Sequence, residues 1–277
     1  MRLGIFAKTF VRPTLEQTLD AVKTHGLDCV QFNMACAGLP TLPEQIEPTV
    51  CARIRRETAK RGIAIAAVSG TFNMIHPDRN VRRHGLDALA VLAEACHDLG
   101  AAIITLGTGT RDRHDMWRRH PANSTPQAWA DLLYSVTKAV DTRVAHDITL
   151  AFEPEVNNVV NSARKARRLL DEIDSPNLKV VIDPANLFHE GELARQHEIL
   201  EEAFDLLGRD IVLAHAKDIS RDGDSGHEAA GKGLLDYDYY LQCLRRIGYD
   251  GPLILHGLEE AQVDECLAFL RGKMKSC

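Results

Sequence analysis

Short runs of valine, isoleucine, leucine and alanine alternate along the chain with longer segments in which apolar residues recur every three or four positions. The short runs predict buried strands, and the periodic segments predict helices that pack one face against them. The clearest helical segment, 82–99, has one continuous apolar face and is followed by a glycine. Eight strands are predicted, at Leu3–Ala7, Cys29–Phe32, Ala64–Val68, Ala102–Leu106, Thr149–Phe152, Lys179–Ile182, Ile211–Ala214 and Leu253–Leu255.

Strands and helices alternate throughout, and this order requires parallel strands joined by right-handed crossovers. Eight such units of about 35 residues each suit a closed (β/α)8 barrel, an α/β fold that forms one domain over residues 1–277. The alternative is an open, doubly wound sheet, which normally has a glycine-rich phosphate loop after its first strand. The residues after Phe6 contain no such loop, so the sequence favours a single TIM barrel.

Composition narrows the range of partners and locations. The 277 residues are 45% hydrophobic and carry 33 basic against 39 acidic side chains, a net charge of −6, so nucleic acid is not an expected partner. Uncharged stretches such as Gly62–Ile75, with 14 residues, are shorter than the roughly 20 residues of a membrane span. The seven cysteines include no C-x-x-C pair and the chain starts in a strand-like run, which together predict a reduced, cytoplasmic protein.

The last four predicted strands each end in a side chain that can bind a metal: Glu153, Asp183, His215 and His256. Their spacings of 30, 32 and 41 residues correspond to one strand-helix unit each, so a barrel would bring them together at its carboxyl-terminal mouth. Two carboxylates and two imidazoles suit Mn²⁺, Zn²⁺, Co²⁺ or Fe²⁺ better than Ca²⁺ or Mg²⁺. The pattern predicts a divalent metal site; the alternative is that polar residues simply end each strand where the chain turns.

Four short segments resemble a known group of proteins: Glu153-Pro154, Ile182-Asp183-Pro184, His215-Ala216-Lys217-Asp218 and Gly248-Tyr249-Asp250-Gly251-Pro252-Leu253. On these segments the chain resembles the xylose isomerase-like TIM-barrel superfamily, which includes sugar-phosphate isomerases and epimerases, ketose 3-epimerases and endonuclease IV. The resemblance implies that Glu153, Asp183 and His215 are metal ligands. His256 stands where ketose 3-epimerases have a second glutamate, and Asn186 stands where they have a histidine.

The resemblance and the predicted metal site together indicate a metal-dependent isomerase or epimerase that acts on a ketose, keto-sugar or sugar phosphate through an enediolate. Glu153 is predicted to move the proton, while His256 either completes the metal shell or acts as an acid or base. Mn²⁺ is the first choice for the metal, with Zn²⁺, Co²⁺ and Fe²⁺ as alternatives.

Other functions remain open at this point. A metal-dependent lyase or hydrolase of a keto-sugar derivative would start with the same proton abstraction, and His256 in place of a second glutamate makes it a specific alternative. A sugar-binding protein without catalysis is another. Repair of DNA in the manner of endonuclease IV would need three clustered metals and a cationic groove, which a net charge of −6 disfavours. A homodimer also stays open.

Eight further polar or aromatic residues follow predicted strands on the side of the expected mouth. Long connections at Gly107–Ser124 and Asp218–Leu234 lie on this side as well, and long loops in a domain are often functional. A cation among these residues would suit a phosphate or an enediolate, and a tryptophan would stack on a sugar. The structural alternative for each is a role in its own turn. The predicted substrate-binding residues are His76, Arg111, Trp117, Glu155, Asn157, Asn186, Lys217 and Asp218.

Overall fold

The structure, a computed structural model, describes residues 1–144 and 147–276, and in these residues a parallel barrel of eight strands is surrounded by eight helices. The strands are β1 (Arg2–Phe6), β2 (Cys29–Phe32), β3 (Ala64–Ser69), β4 (Ile103–Gly107), β5 (Thr149–Glu153), β6 (Leu178–Ile182), β7 (Ile211–Asp218), the short β8 (Glu228–Ala229) and β9 (Pro252–Leu255). The helices are α1 (Leu15–Thr24), α2 (Pro48–Lys60), α3 (Arg79–Leu99), α4 (Pro126–Val144), α5 (Ala163–Ile173), α6 (Gln196–Leu207), α7 (Tyr237–Arg246) and α8 (Val263–Ser276).

The barrel closes through parallel pairs between every two neighbouring strands. Strand β1 pairs with both β2 and β9, β9 pairs with β7, and β7 pairs with β6. The predicted (β/α)8 barrel is therefore confirmed. Strand β7 is longer than predicted because Lys217 and Asp218 form an antiparallel pair with β8, which lies outside the barrel.

The bounds of helix α3 follow from its two caps. The Asp78 carboxylate accepts a hydrogen bond from Asn80 N at 2.8 Å, so the helix begins at Arg79, three residues before the predicted start. It ends at Gly100, whose φ of 73° lies in the left-handed region that glycine adopts readily. The predicted stop at this glycine is confirmed.

An apolar layer fills the interior of the barrel below its carboxyl-terminal mouth. Strand side chains alternate between the interior and the outer face, where a second apolar cluster packs against the helices. A residue two positions further along a strand therefore points into the barrel again, closer to the mouth. The interior layer consists of Phe6, Cys29, Ala67, Ala151, Val181, Leu213 and Ile254.

Two sequence-based expectations can be compared with the described residues. The cysteines in this part of the chain, which excludes Cys277, are free thiols, as predicted. Among the described helices, none combines the length and the apolar character needed to cross a bilayer.

Candidate functional site

A cavity of about 500 Å³ opens at the carboxyl ends of the barrel strands. Its floor consists of polar side chains that lie two residues beyond the apolar interior layer, which explains why they point inward. The long connections after β4 and β7 contribute to its walls through Trp117 and Gly226. The polar floor residues are Gln31, Ser69, Thr105, Glu153, His215 and His256.

Three of the four predicted ligand side chains, Asp183, His215 and His256, form one cluster at the floor of this cavity, and the fourth, Glu153, lies beside His215. Donor atoms of Asp183, His215 and His256 all lie within 4.8 Å of one another. His215 Nδ1 is 3.3 Å from Asp183 Oδ2 and 3.6 Å from Glu153 Oε2. His256 Nδ1 is 3.6 Å from the same oxygen of Asp183. The structure thus brings together side chains that are about a hundred residues apart in the sequence.

These separations fit a divalent cation. In a tetrahedral site with bonds of about 2.1 Å, adjacent ligand atoms lie about 3.4 Å apart, close to the spacings found here. His256 Nδ1 is also buried without a hydrogen-bond partner among the described residues. A buried nitrogen in this state is destabilising unless something accepts its lone pair or its proton. The donor set and its spacing are therefore suitable for Zn²⁺ or Mn²⁺.

Gln31 fixes the orientation of the His215 ring. The Gln31 amide nitrogen donates to Thr105 Oγ1 at 3.2 Å, so the amide oxygen faces His215. His215 Nε2 lies 2.9 Å from that oxygen and donates its proton to it. The neutral ring then has its lone pair on Nδ1, which points towards Asp183 and Glu153. This is the tautomer that a metal-binding histidine requires.

Asp183 is fully buried and remains ionised because cationic and hydrogen-bonding groups surround it. Lys217 Nζ lies 3.2 Å from Asp183 Oδ2, and it also donates to Asn186 Oδ1 at 2.7 Å. Burial opposes ionisation, but the charge of Lys217 and the close contacts with His215 and His256 outweigh it and hold the pKa of Asp183 well below its usual range. The site therefore contains a permanent negative charge at the point where the imidazoles meet.

The same surroundings raise the pKa of Glu153 and lower the pKa of His256. Burial raises the pKa of Glu153, and the nearby Asp183 carboxylate raises it further. Asn186 Nδ2 donates to Glu153 Oε1 at 2.5 Å, which holds one carboxylate oxygen in place. About 27% of the His256 side chain is exposed to the cavity, yet its burial among protein atoms lowers the pKa to about 4. His256 is therefore a neutral imidazole near neutral pH and has a free lone pair.

A family model described as xylose isomerase-like TIM barrel matches residues 19–273. The chain belongs to this family. Members of the family need not share one reaction, because function depends on the residues of the site rather than on the barrel.

Three individual proteins illustrate the range of similarity. A ketose 3-epimerase of Arthrobacter globiformis is 30% identical over 115 residues, which span 42% of this chain and 36% of that enzyme. The L-ribulose-5-phosphate 3-epimerase UlaE of Escherichia coli is 24% identical over 270 residues, 95% of this chain and 89% of that enzyme. The solved structure of IOLI protein with a bound zinc atom superimposes with a TM-score of 0.76 at 17% identity, covering 99% of this chain and 96% of that one.

Four of the predicted substrate-binding residues line the cavity of this xylose isomerase-like barrel. Asn186 and Lys217 lie beside Glu153 and Asp183, as described above. Glu155 is buried, its Oε1 has no hydrogen-bond partner among the described residues, and burial followed by repulsion from Glu153 raises its pKa to about 8. Trp117 lines the opening and remains 49% exposed, so a face of its ring is available.

His76 and Arg111 lie away from the cavity. The Arg111 guanidinium pairs with Asp131 of α4 at 2.6 Å. The His76 ring accepts a hydrogen bond from Asp78 N at 3.1 Å and its other nitrogen contacts Arg113 O at 3.2 Å. Both side chains therefore hold the loops after β3 and β4 together.

Asn157 and Asp218 are also held by contacts outside the cavity. Asn157 Nδ2 donates to Asp224 Oδ1 at 2.5 Å, which links the loops after β5 and β7. The buried Asp218 carboxylate accepts hydrogen bonds from Gly231 N at 2.9 Å and from Leu235 N at 3.0 Å. In this position Asp218 organises the loop after β7 and does not line the cavity.

Several residues of the cavity were not predicted from the sequence, among them Gln31, Lys8 and Asn33. Gln31 is a polar residue within a predicted strand, two positions after Cys29, and this inward position on the strand was the available signal. Lys8 and Asn33 follow the first and second strands and also line the cavity. A search for polar residues just past every strand, rather than past the last four, would have found both.

Proposed function

We propose that the protein is a metal-dependent isomerase or epimerase that acts on a ketose, keto-sugar or sugar phosphate through an enediolate. The observation that carries the proposal is the cluster of Asp183, His215 and His256 at a polar cavity, with the Glu153 carboxylate 3.6 Å from His215. The names of the two epimerase relatives support the same class of reaction.

Glu153, Asp183, His215 and His256 would hold the cation in this proposal. A bound divalent cation supplies positive charge that stabilises negative charge developing on the substrate oxygens. The two carboxylates neutralise it, which makes Mn²⁺ our first choice, with Zn²⁺, Co²⁺ and Fe²⁺ as alternatives. In this arrangement His256 uses its Nδ1 lone pair as a ligand, so the same nitrogen does not act as an acid or base.

Glu153 is the proposed proton carrier. One of its oxygens is fixed by Asn186, and the carboxylate faces the cavity that a sugar would occupy. A carboxylate within about 3 Å of an acidic C–H can remove the proton and return it at a neighbouring position. Lys217, buried beside Asp183, adds a fixed positive charge that favours an enediolate in this low-dielectric site.

We assign the orientation of the substrate to side chains in the walls of the cavity. The unpartnered Oε1 of Glu155 would accept a hydrogen bond from a sugar hydroxyl. The exposed ring of Trp117 provides an apolar surface for the C–H face of a sugar. Lys217 already donates a hydrogen bond to Asn186. A substrate that contacts these two side chains would therefore meet a pair that is held in place.

Deuterium exchange tests the proposed reaction. The protein loaded with Mn²⁺ is incubated in D₂O with a panel of ketoses and ketose phosphates, and proton NMR follows the loss of signal at carbons next to the carbonyl. We expect exchange with at least one substrate, formation of its epimer or isomer, and loss of both after treatment with a chelator. Release of a substituent would instead indicate the lyase, and exchange that survives full removal of metal would contradict the proposal.

Gln31 is expected to position His215 for metal binding. Replacing Gln31 with leucine removes the acceptor for His215 Nε2, and loss of such a partner typically lowers metal affinity by about 10- to 100-fold. Gln31→Glu keeps an acceptor, so its metal dissociation constant should stay within a few-fold of the wild-type value. Titration calorimetry with Mn²⁺ measures both variants. Equal losses of affinity in the two would argue against a positioning role.

A further inference from the structure

A second cavity, of about 650 Å³, shares no lining residue with the one at the barrel mouth. It lies between the loops after β3 and β4 and the amino-terminal ends of α3 and α4. Four arginines and two aspartates line it, which leaves an excess of positive charge in a chain whose net charge is −6. We call it the arginine cleft, defined by Arg79, Arg82, Arg111, Arg113, Asp112 and Asp131.

The two inner arginines are fixed in place by the protein. Arg82 and Arg111 are about nine-tenths buried, with 6% and 10% of their side chains exposed. They share one carboxylate, since Asp131 lies 3.3 Å from Arg82 and 2.6 Å from Arg111. Arg82 Nη1 also donates to His76 O at 2.5 Å, and Arg111 Nη1 donates to Ile75 O at 3.0 Å. One carboxylate neutralises one guanidinium, so a buried and oriented positive charge remains.

The two outer arginines have no such constraint. Arg79 and Arg113 are exposed at the rim. Within residues 1–144 and 147–276, neither guanidinium makes a hydrogen bond or ion pair with a protein group. Each therefore has all its donors available, in the planar arrangement that binds the oxygens of a phosphate in pairs.

The amino-terminal ends of α3 and α4 add to the positive charge of the arginine cleft. Helix α3 begins at the cleft with Arg79 and Arg82 in its first turn and no acidic residue there, apart from the capping Asp78. Helix α4 begins beside Thr125 and Gln127 of the cleft, again without an acid in its first turn. Cations at the positive end of a helix are unfavourable. A bound anion would remove this conflict, and helix amino termini bind anions well.

We propose that the arginine cleft is a second binding site, which takes a small molecule through a phosphate group. The fixed pair Arg82 and Arg111 supplies the inner charge, while Arg79 and Arg113 close on the ligand from the rim. Phosphate binding here does not require the reaction proposed for the barrel mouth.

The loop after β4 connects the two cavities. Residues 111–114 of this loop line the arginine cleft, and Trp117 lines the cavity at the mouth. Between them, Asp112 accepts from Asp115 N at 3.0 Å and Asp115 accepts from Trp117 N at 2.9 Å, so the segment is a chain of linked turns. An anion in the arginine cleft would therefore restrain the loop that carries Trp117.

Inorganic phosphate serves as the first probe of the arginine cleft. Binding to the full chain is measured by calorimetry and by thermal unfolding, with sodium chloride at the same ionic strength as the reference. We expect saturable binding and a higher melting temperature in phosphate. The double variant Arg79→Gln/Arg113→Gln should bind phosphate at least about tenfold more weakly, because it loses two charge-assisted partners.

Arg83→Gln is the matched control, because Arg83 is an exposed arginine of α3 that does not line the arginine cleft. Its phosphate affinity should stay within about twofold of the wild-type value. An equal loss in Arg83→Gln, or no saturable binding to the wild-type chain, would overturn the proposal. Binding of tricarballylate without binding of phosphate would overturn the assignment to a phosphate group.

Discussion

Asp183→Asn is expected to lose the divalent cation and to lower kcat/KM by about 10³-fold or more. The Asp183 carboxylate lies within 3.6 Å of both imidazole Nδ1 atoms and supplies permanent negative charge at the point where the ligands meet. A neutral amide of the same shape keeps the hydrogen bond that Asp183 Oδ1 accepts from Ala185 N at 3.0 Å. Metal content after dialysis, measured by mass spectrometry, and steady-state rates check this prediction.

The same variant is expected to be less stable in the absence of metal. It leaves the buried Lys217 ammonium without its carboxylate, and breaking a buried ion pair in this way costs about 3–5 kcal/mol of the free energy of unfolding. The second change Lys217→Met removes the unpaired charge, so the double variant should regain most of that stability without regaining metal or activity. Urea unfolding measures all three proteins. Stoichiometric metal in Asp183→Asn would contradict the assignment of this ligand.

Glu153→Gln is expected to slow exchange of the substrate proton with D₂O by about 10²- to 10⁴-fold. Glutamine can still accept the hydrogen bond that Asn186 Nδ2 donates to Glu153 Oε1, so the side chain should keep its place. Asp183, His215 and His256 still offer ligand atoms within 4.8 Å of one another, and the variant should therefore retain weakened metal binding. Exchange rates at saturating Mn²⁺ separate the loss of proton transfer from the loss of metal.

Glu155→Gln provides the matched control, since Glu155 is a second buried carboxylate that lines the same cavity. Its replacement should raise KM more than it lowers kcat, because its proposed contact is with a sugar hydroxyl in both the ground state and the transition state. If Glu155→Gln stops exchange and Glu153→Gln does not, the proton carrier is Glu155 instead.

The barrel is predictable from the sequence because both faces of its strands are buried, which produces short continuous apolar runs. Strand β2 has the same bounds, Cys29–Phe32, in the prediction and in the structure. Strand β7 does not, because its last two residues pair with Glu228–Ala229. That pairing depends on how a loop folds back, which local hydrophobicity does not encode.

The candidate site is predictable where strands position it and less so where loops do. Asp183, His215 and His256 follow apolar strand residues at fixed register, so their direction follows from the alternation of side chains. Arg111 pairs with Asp131, twenty residues away on a helix, and no periodicity in the loop predicts this partner. Gln31 escapes a search for metal-binding residue types because it contacts His215 through an amide, which is not one of those types.

The apolar side chains of the barrel interior close the end opposite the mouth. Ala151, Val181, Leu213 and Ile254 belong to this layer, directly beneath the polar floor. In the proposed reaction, substrate and product would therefore both pass through the mouth of the barrel. A long polysaccharide could not thread through the barrel and would reach the floor only by its terminal unit. A cavity with one open end would suit a monosaccharide as the substrate of the proposed reaction.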